Sequence, residues 1–385
     1  MDWGKKSFMI LDGDSRQCLP VIRGISNIGA KVTTLNASKL SNGYTSKFPS
    51  SRLVKPKNED LYEFLLKEVR KKRYDVIIPL SDASTDVVTQ HYEELCKYVS
   101  MPIPNRKVFL NAYNKQNTMR VCTEIGVPCP ITKMDDEKLD DALKRIGFPL
   151  IAKPRMACGS KGLKIIKNKS QLKKMIEKHE IRIEEYVIQE FVPQTGKQYN
   201  IHLFMNDQKK LCSGVVTEKS RWYPIDGGAS CLCRTVVNEK ILNNCEKLLK
   251  AIDWRGYCEI EMIEDPRDGE CKVMEINGRA SASIKIMQLA GVDIGKQMAQ
   301  LACGCSVTEY DSYPNDVRMR RLVTDILWLI QSPDRFSRKP FWFSPLRTHE
   351  VVFSIDDPKP FFASVLDLLM HIGRFRTEMK KRKRG

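Results

Sequence analysis

Tyr257-Cys-Glu-Ile-Glu-Met-Ile-Glu-Asp-Pro-Arg-Asp-Gly-Glu-Cys-Lys-Val-Met-Glu-Ile-Asn277 is two β-like runs around an Asp-Pro-Arg-Asp-Gly turn. Folded about Asp268, the hairpin sets Glu261 opposite Glu275. Strand side chains alternate faces, so Glu275 and Asn277 point the same way, with Arg279 two residues further on. Like charges directly opposite each other destabilise a sheet. A divalent cation reverses that penalty, and an oxygen-only ligand set suits Mg²⁺, which takes one or two carboxylates and leaves room for phosphate oxygens. Arg279 could meet a phosphate or a developing anion. Taken alone, the pair reads equally well as two solvated glutamates on an exposed hairpin.

The remaining sequence narrows this. At 385 residues the chain is long enough for two or three domains, and its 42% hydrophobic content is that of an ordinary globular protein. No apolar run approaches the ~20 residues of a membrane span. Met1–Asp12 reads as a first strand rather than a signal peptide. The 13 cysteines are scattered, without CxxC or zinc-ligand spacing, and read as reduced thiols of a cytoplasmic protein. The net charge of +17 includes five consecutive cations, Lys380–Arg384. That run is either a solvated end or a contact for anionic lipid at the inner membrane face. Without an RNA-binding signature or a periodic aromatic–basic pattern, no specific nucleic-acid partner is expected.

Residues 1–112 alternate strands and helices: a strand over Ser7–Leu11, a helix over Arg16–Ile28, a strand over Lys31–Leu35, a helix over Glu59–Lys72 and a strand over Asp75–Leu80. This predicts a Rossmann-like parallel sheet. The first turn is Asp12-Gly13-Asp14, which would repel a pyrophosphate. Residues 113–305 form a second block, with a helix at Lys115–Ile125 and a first part over about 125–192. Its strands are expected at Ile146–Pro154, Leu163–Ile166 and Tyr186–Val192, with Ser170 as a helix cap. In its second half, 193–305, the runs Tyr199–Met205 and Lys210–Val216 predict an antiparallel pair. Residues 306–385 form a C-terminal extension with helical patterns at Leu322–Ile330 and Phe361–His371.

The Lys115 helix, the strand ending Lys153-Pro154, the small-residue loop through Gly162, Gln189-Glu-Phe-Val192 and Glu275-Ile-Asn-Gly-Arg279 occur in an order that resembles the ATP-grasp superfamily. The resemblance is to the branch near the carbamoyl-phosphate synthase large subunit and the carboxylate–amine ligases, and covers about residues 1–305. It implies an α/β fold, α+β in the ATP-binding part, preceded by a Rossmann-like domain. It further implies that Lys115 and Lys153 contact ATP phosphates and that Gly159, Ser160, Lys161 and Gly162 form the flap over them. Gln189, Glu190, Phe191 and Val192 would hold adenine, and Gln198 would stand at the ribose. Glu261, Glu275 and Asn277 would bind Mg²⁺, with Mn²⁺ as a substitute. Arg279, with Lys153, would steady the transferred phosphate. In the stretch Glu218–Ser230, Arg221, Gly227 and Gly228 are the expected contacts for the acyl substrate. Two positions depart from the pattern: Gln198 replaces an acid, and Gly278 replaces a proline, which should loosen the backbone.

The implied chemistry joins a carboxylate to an amine, or to a thiol or ammonia, through an acyl-phosphate, with release of ADP and phosphate. A cell-envelope or polysaccharide precursor is one substrate class, and an oligomer is compatible with the pattern. Two other classes compete: an ATP-binding regulator without turnover, against which the intact acidic set speaks, and a basic membrane-associated scaffold, which salt-sensitive liposome binding would test.

Overall fold

The computed structural model describes residues 1–71, 73–156, 162–225, 228–344 and 348–370. Four parallel strands form the first sheet, in the order Ser51–Val54, Lys31–Asn36, Ser7–Ile10, Val76–Ile78. The expected parallel sheet is present, and Ser51–Val54 is an additional edge strand. That strand carries no apolar alternation, because both its faces are at least partly open to solvent.

The turn after the first strand holds the next surprise. Asp12, at φ 56°, directs its carboxylate across the sheet. It accepts hydrogen bonds from the backbone amides of Leu80 and Ser81 (both 3.0 Å), and from the hydroxyls of Ser81 (2.9 Å) and Ser84 (2.5 Å). The acid that would repel a pyrophosphate thus ties down the start of the helix Asp82–Gln90, whose N-cap is Ser81. Asp12→Ala is expected to lower stability by about 2 kcal/mol, as charged hydrogen bonds and a lost cap together imply. Denaturant unfolding would check this.

A three-stranded sheet follows, in the order Lys164–Ile166, Leu150–Pro154, Tyr186–Glu190. Its central strand begins later than expected, since Ile146 ends the helix Leu139–Ile146 and Gly147 (φ 73°) breaks it. Asn168 rather than Ser170 caps the helix Lys169–Glu177, accepting from the Gln171 amide.

Seven strands form the largest sheet, in the order Cys271–Asn277, Gly256–Glu264, Gln198–Met205, Leu211–Tyr223, Ala229–Thr235, Arg318–Arg320, Thr348–Glu350. Two of these strands come from beyond residue 305, so the C-terminal segment extends this sheet. One face covers the core built around Ile201, Val216, Cys258 and Trp254. The other shares a second core with the parallel sheet, in which Phe204, Tyr257 and Met319 of the large sheet and Phe8, Ile10 and Val76 of the parallel one are joined by residues of the helices Cys18–Asn27 and Ile294–Ala302. Among the described residues, no helix is long and apolar enough to cross a membrane.

Candidate active site

The expected register is observed: Glu261 pairs with Glu275, and Glu259 with Asn277. Between Glu261 and Met262 the register slips, because Met262 pairs with Val273 and Met274 is bulged out. The bulge resolves a conflict in the sequence. Val273 and Ile276 both belong to the core, although they are an odd number of residues apart. One extra residue lets both face inward while Glu275 and Asn277 face the cleft. It also leaves the Met274 carbonyl free to accept a hydrogen bond from Lys153 Nζ at 3.2 Å.

Lys153 arrives from the three-stranded sheet, where it pairs with Val187 while Ile151 pairs with Gln189. The side chains of Lys153 and Gln189 therefore share one face. Burial pushes Lys153 down to about 8, against the attraction of Glu275. Lys115 opens the helix Lys115–Ile125 and lies 3.2 Å from Glu275. Lys219, which the sequence reading missed, is largely enclosed, with 9% of its side chain exposed, and lies 2.9 Å from Glu261. Its signal was the continued alternation Thr217, Lys219, Arg221 in a strand that runs to Tyr223 rather than stopping at Val216. Burial disfavours the Glu261 carboxylate, but Lys219, Arg279 and Asn277 outweigh it and hold its carboxyl below the usual range.

Asn277 Nδ2 donates to Glu259 (3.4 Å) and Glu261 (3.3 Å), and its Oδ1 accepts from Arg279 (3.2 Å). Arg279 also reaches Asp82 at 3.1 Å, on the helix that Asp12 secures. Glu259 accepts from Ser283 at 3.1 Å. Beneath it, the buried His202 contacts the Tyr257 hydroxyl at 2.8 Å, and burial lowers its pKa, keeping the ring neutral. Glu259 could have been found from the alternation Tyr257, Glu259, Glu261. Asp82 has no local signal.

Several expected residues sit differently. The Glu190 carboxylate is held by the Ile131 amide (3.0 Å), Lys272 (3.0 Å) and Arg267 (2.6 Å), so it ties its strand to the hairpin turn. Gln189 is fully buried, donates to Thr132 at 3.3 Å and leaves its amide oxygen without a partner. Asn200, opposite Glu261, likewise has an unpartnered buried amide oxygen. Gln198 stands opposite Ile263 and donates to Gln194 at 3.4 Å. Phe191 and Val192 continue directly from the strand that ends at Glu190. Gly278 has a packing role: a Cβ there would come within 2.7 Å of the Trp254 ring. Gly162 is described, at φ 73°, while Gly159, Ser160, Lys161 and Gly227 lie outside the described residues.

Arg221 is the clearest departure. Its guanidinium makes a bidentate pair with Asp325, at 2.8 and 2.9 Å, and donates to the Pro340 carbonyl at 3.0 Å. Arg221 is thus bound inside the chain rather than presented to an acyl substrate. The stretch expected as a loop is largely two paired strands, with the exposed Gly228 in the turn, where a Cβ would lie 2.4 Å from the Tyr223 carbonyl.

Two carboxylates and an amide converge here, balanced by lysines. Among the described residues, no group of three or more His, Cys, Asp or Glu is arranged for a metal. Glu261, Glu275 and Asn277 offer oxygen donors only, a set that suits a hard cation needing one or two carboxylates, as Mg²⁺ does, better than zinc.

Residues 112–283 match the ATP-grasp domain family. Two relatives give the neighbourhood. D-aspartate ligase of Enterococcus faecium strain Aus0004 is 24% identical over 247 residues, 59% of this chain and 58% of that protein. Carbamoyl phosphate synthase large chain of Pseudothermotoga lettingae is 21% identical over 342 residues, 83% of this chain and 30% of that protein. The chain thus spans less than two thirds of either relative. The biotin carboxylase domain dimer of Hydrogenobacter thermophilus 2-oxoglutarate carboxylase, crystallised with MgADP, ADP and bicarbonate, superposes with a TM-score of 0.66. It is 16% identical, and the match covers 81% of this chain and 73% of that one.

Proposed function

We propose that the protein is an ATP-dependent ligase that joins a carboxylate to an amine through an acyl-phosphate. The observation that carries this reading is the meeting of Glu261, Glu275, Asn277 and Arg279 from one sheet with Lys115 and Lys153 at a single cleft. Glu261, Glu275 and Asn277 would hold Mg²⁺, which when bound offsets phosphate charge during transfer. Lys153 and Lys115 orient the triphosphate from the opposite side. The buried acceptor of Gln189 takes an adenine amine, supported by its unpartnered oxygen. The attacking oxygen of the acid bonds to the γ-phosphorus and ADP leaves. The amine nitrogen then attacks the acyl carbon, a proton departs from it, and phosphate is released. Arg279 faces the phosphate as its charge develops, held in place by Asp82 and Asn277.

The acid's own seat lies beside Arg279. Arg16 donates to the Ala282 carbonyl at 2.9 Å, at the end of the loop that carries Arg279. Burial and the nearby Arg321 push Arg16 down to about 9. With Arg221 committed to Asp325, Arg16 and Arg321 replace it in this reading as the contacts for the acid, beside the Glu350 carboxylate that already attracts both. No mechanistic step needs a cysteine.

The test is Mg²⁺-dependent ADP release with pooled acids and amines. Release requiring both pools supports a ligase, while ATP binding without turnover across broad pools favours a regulator. A pH dependence follows from Lys153. Its folded pKa, about 8, lies below the ordinary lysine value, so the free protein loses this cation as pH rises through 8. Since phosphate binding needs the ammonium, ATP affinity should weaken above that pH, and Lys153→Arg should flatten this limb. An unchanged limb in the arginine variant would remove Lys153 from the phosphate site.

A further inference from the structure

A cavity of about 840 Å³ lies apart from the ATP cleft, and no residue assigned to that cleft lines it. Its walls come from the helices Cys18–Asn27 and Lys285–Leu289 and from the paired strands Arg318–Arg320 and Thr348–Glu350. Its volume is that of a small-molecule site.

Three cations line this cavity, and each keeps donors in reserve. Arg23 is 2% exposed, and its hydrogen bond to Asp357 is long, at 3.4 Å. Its Nε–H is buried without a partner. Asp357 also accepts from the Ser46 hydroxyl at 2.6 Å and the Lys47 amide at 3.1 Å. Lys285, 5% exposed, donates to the carbonyls of Glu350 (2.8 Å) and Phe353 (2.6 Å), which leaves one of its three hydrogens. Burial, and then the like charge of Arg23, push Lys285 down to about 8. Arg320 lies over the Trp342 ring and makes no side-chain hydrogen bond among the described residues; the acid that attracts it, Asp325, is bound by Arg221. Buried cations with unused donors are costly until an acceptor meets them.

The acids nearby are already engaged. Glu350 accepts from the amides of Val352 (2.5 Å) and Phe353 (2.7 Å) and attracts Arg16 and Arg321 besides Lys285. Asp356 accepts from Ser354 and faces the charges of Arg23 and Lys47. Glu350, Asp356 and Asp357 thus stand among six cations, and the excess is positive. Phe48, Leu289, Phe353 and Phe361 supply an apolar wall. A neutral apolar molecule would leave the donors unused, and a bare inorganic anion would leave the rings unused.

We propose that this cavity binds a small organic anion, a carboxylate or phosphate ester carrying an aromatic group, with its charge on Arg23, Lys285 and Arg320 and its ring on the phenylalanines. The site stands independently of the ligase chemistry.

Titration calorimetry of the full chain with phenyl phosphate and with benzoate tests it, and the tighter of the two names the acidic group. A Kd of about 1 mM or below is expected for that probe, with inorganic phosphate and phenol, which each carry one half of the pattern, at least about tenfold weaker. Gln288→Glu adds a carboxylate to the wall without touching a buried cation, and Arg320→Gln removes a charge. Each should weaken the probe at least about tenfold while its thermal melt matches wild type. Lys153→Ala, in the ATP cleft, should bind the probe as wild type does. No heat with either probe, equal affinity for phosphate alone, or unchanged affinity in both Gln288→Glu and Arg320→Gln overturns the proposal. So does binding lost in Lys153→Ala and kept in Gln288→Glu, which would put the probe in the ATP cleft.

Discussion

Replacing Glu275 with Gln is expected to cut Mg²⁺-dependent ADP release roughly 10³-fold while leaving the fold intact, since Lewis-acid charge stabilisation is worth several kcal/mol and each tenfold is about 1.4 kcal/mol. Gln keeps the shape and one oxygen but removes the charge that balances a cation. The fold should tolerate it for two reasons. Glu275 faces Glu261 directly across the ladder, so neutralising it relieves a like-charge contact. Its side chain is also partly open, at 23% exposure, so the amide that replaces the carboxylate keeps contact with water. A stopped assay of ADP formation, beside a thermal melt, checks both halves. Wild-type turnover in the variant would show that the hairpin carboxylates do not form the cation site.

Asp325→Ala should be the most damaging single change outside that cleft, costing about 3–5 kcal/mol by leaving Arg221 charged and buried without its partner. Both side chains are almost fully enclosed, at 3% and 0% exposure. Arg221 also lies over the Trp328 ring, so the pair anchors the helix Leu322–Gln331 to the central sheet. The comparison with Arg221→Ala is decisive about role. If Arg221 is an anchor, the two variants lose similar stability and the double variant loses little more. If instead Arg221 served a substrate acid, Arg221→Ala would raise KM with little loss of stability, and Asp325→Ala would leave a better substrate contact. Guanidinium unfolding of the three variants measures this.

The Arg221 reading shows where sequence reasoning reached its limit. Arg-Trp-Tyr-Pro beside Gly227-Gly228 has the composition of a substrate loop, and its acid partner lies 104 residues away. Nothing local announces Asp325, within an apolar helix, as that partner. Glu190 failed in the same way: its carboxylate serves Lys272 and Arg267, which a turn brings back from some 80 residues downstream. The Trp254 ring that packs against Gly278 is likewise not announced by the residues around that glycine.

The sequence by itself determined the acidic hairpin, the facing of Glu261 and Glu275, the parallel N-terminal sheet and the helix that begins at Lys115 and ends at Gly126. These depend on period-2 and period-3.6 patterns and on turn and cap residues, all of which act within a few residues of one another. Only the tertiary structure decided that Lys153 reaches the Met274 bulge, that Lys219 and Asp82 enter the cleft, and that Arg221 belongs to Asp325. The physical reason is that a buried charge must find an opposite charge or a polar group wherever the packed chain provides one. That requirement carries no fixed spacing for a sequence to display.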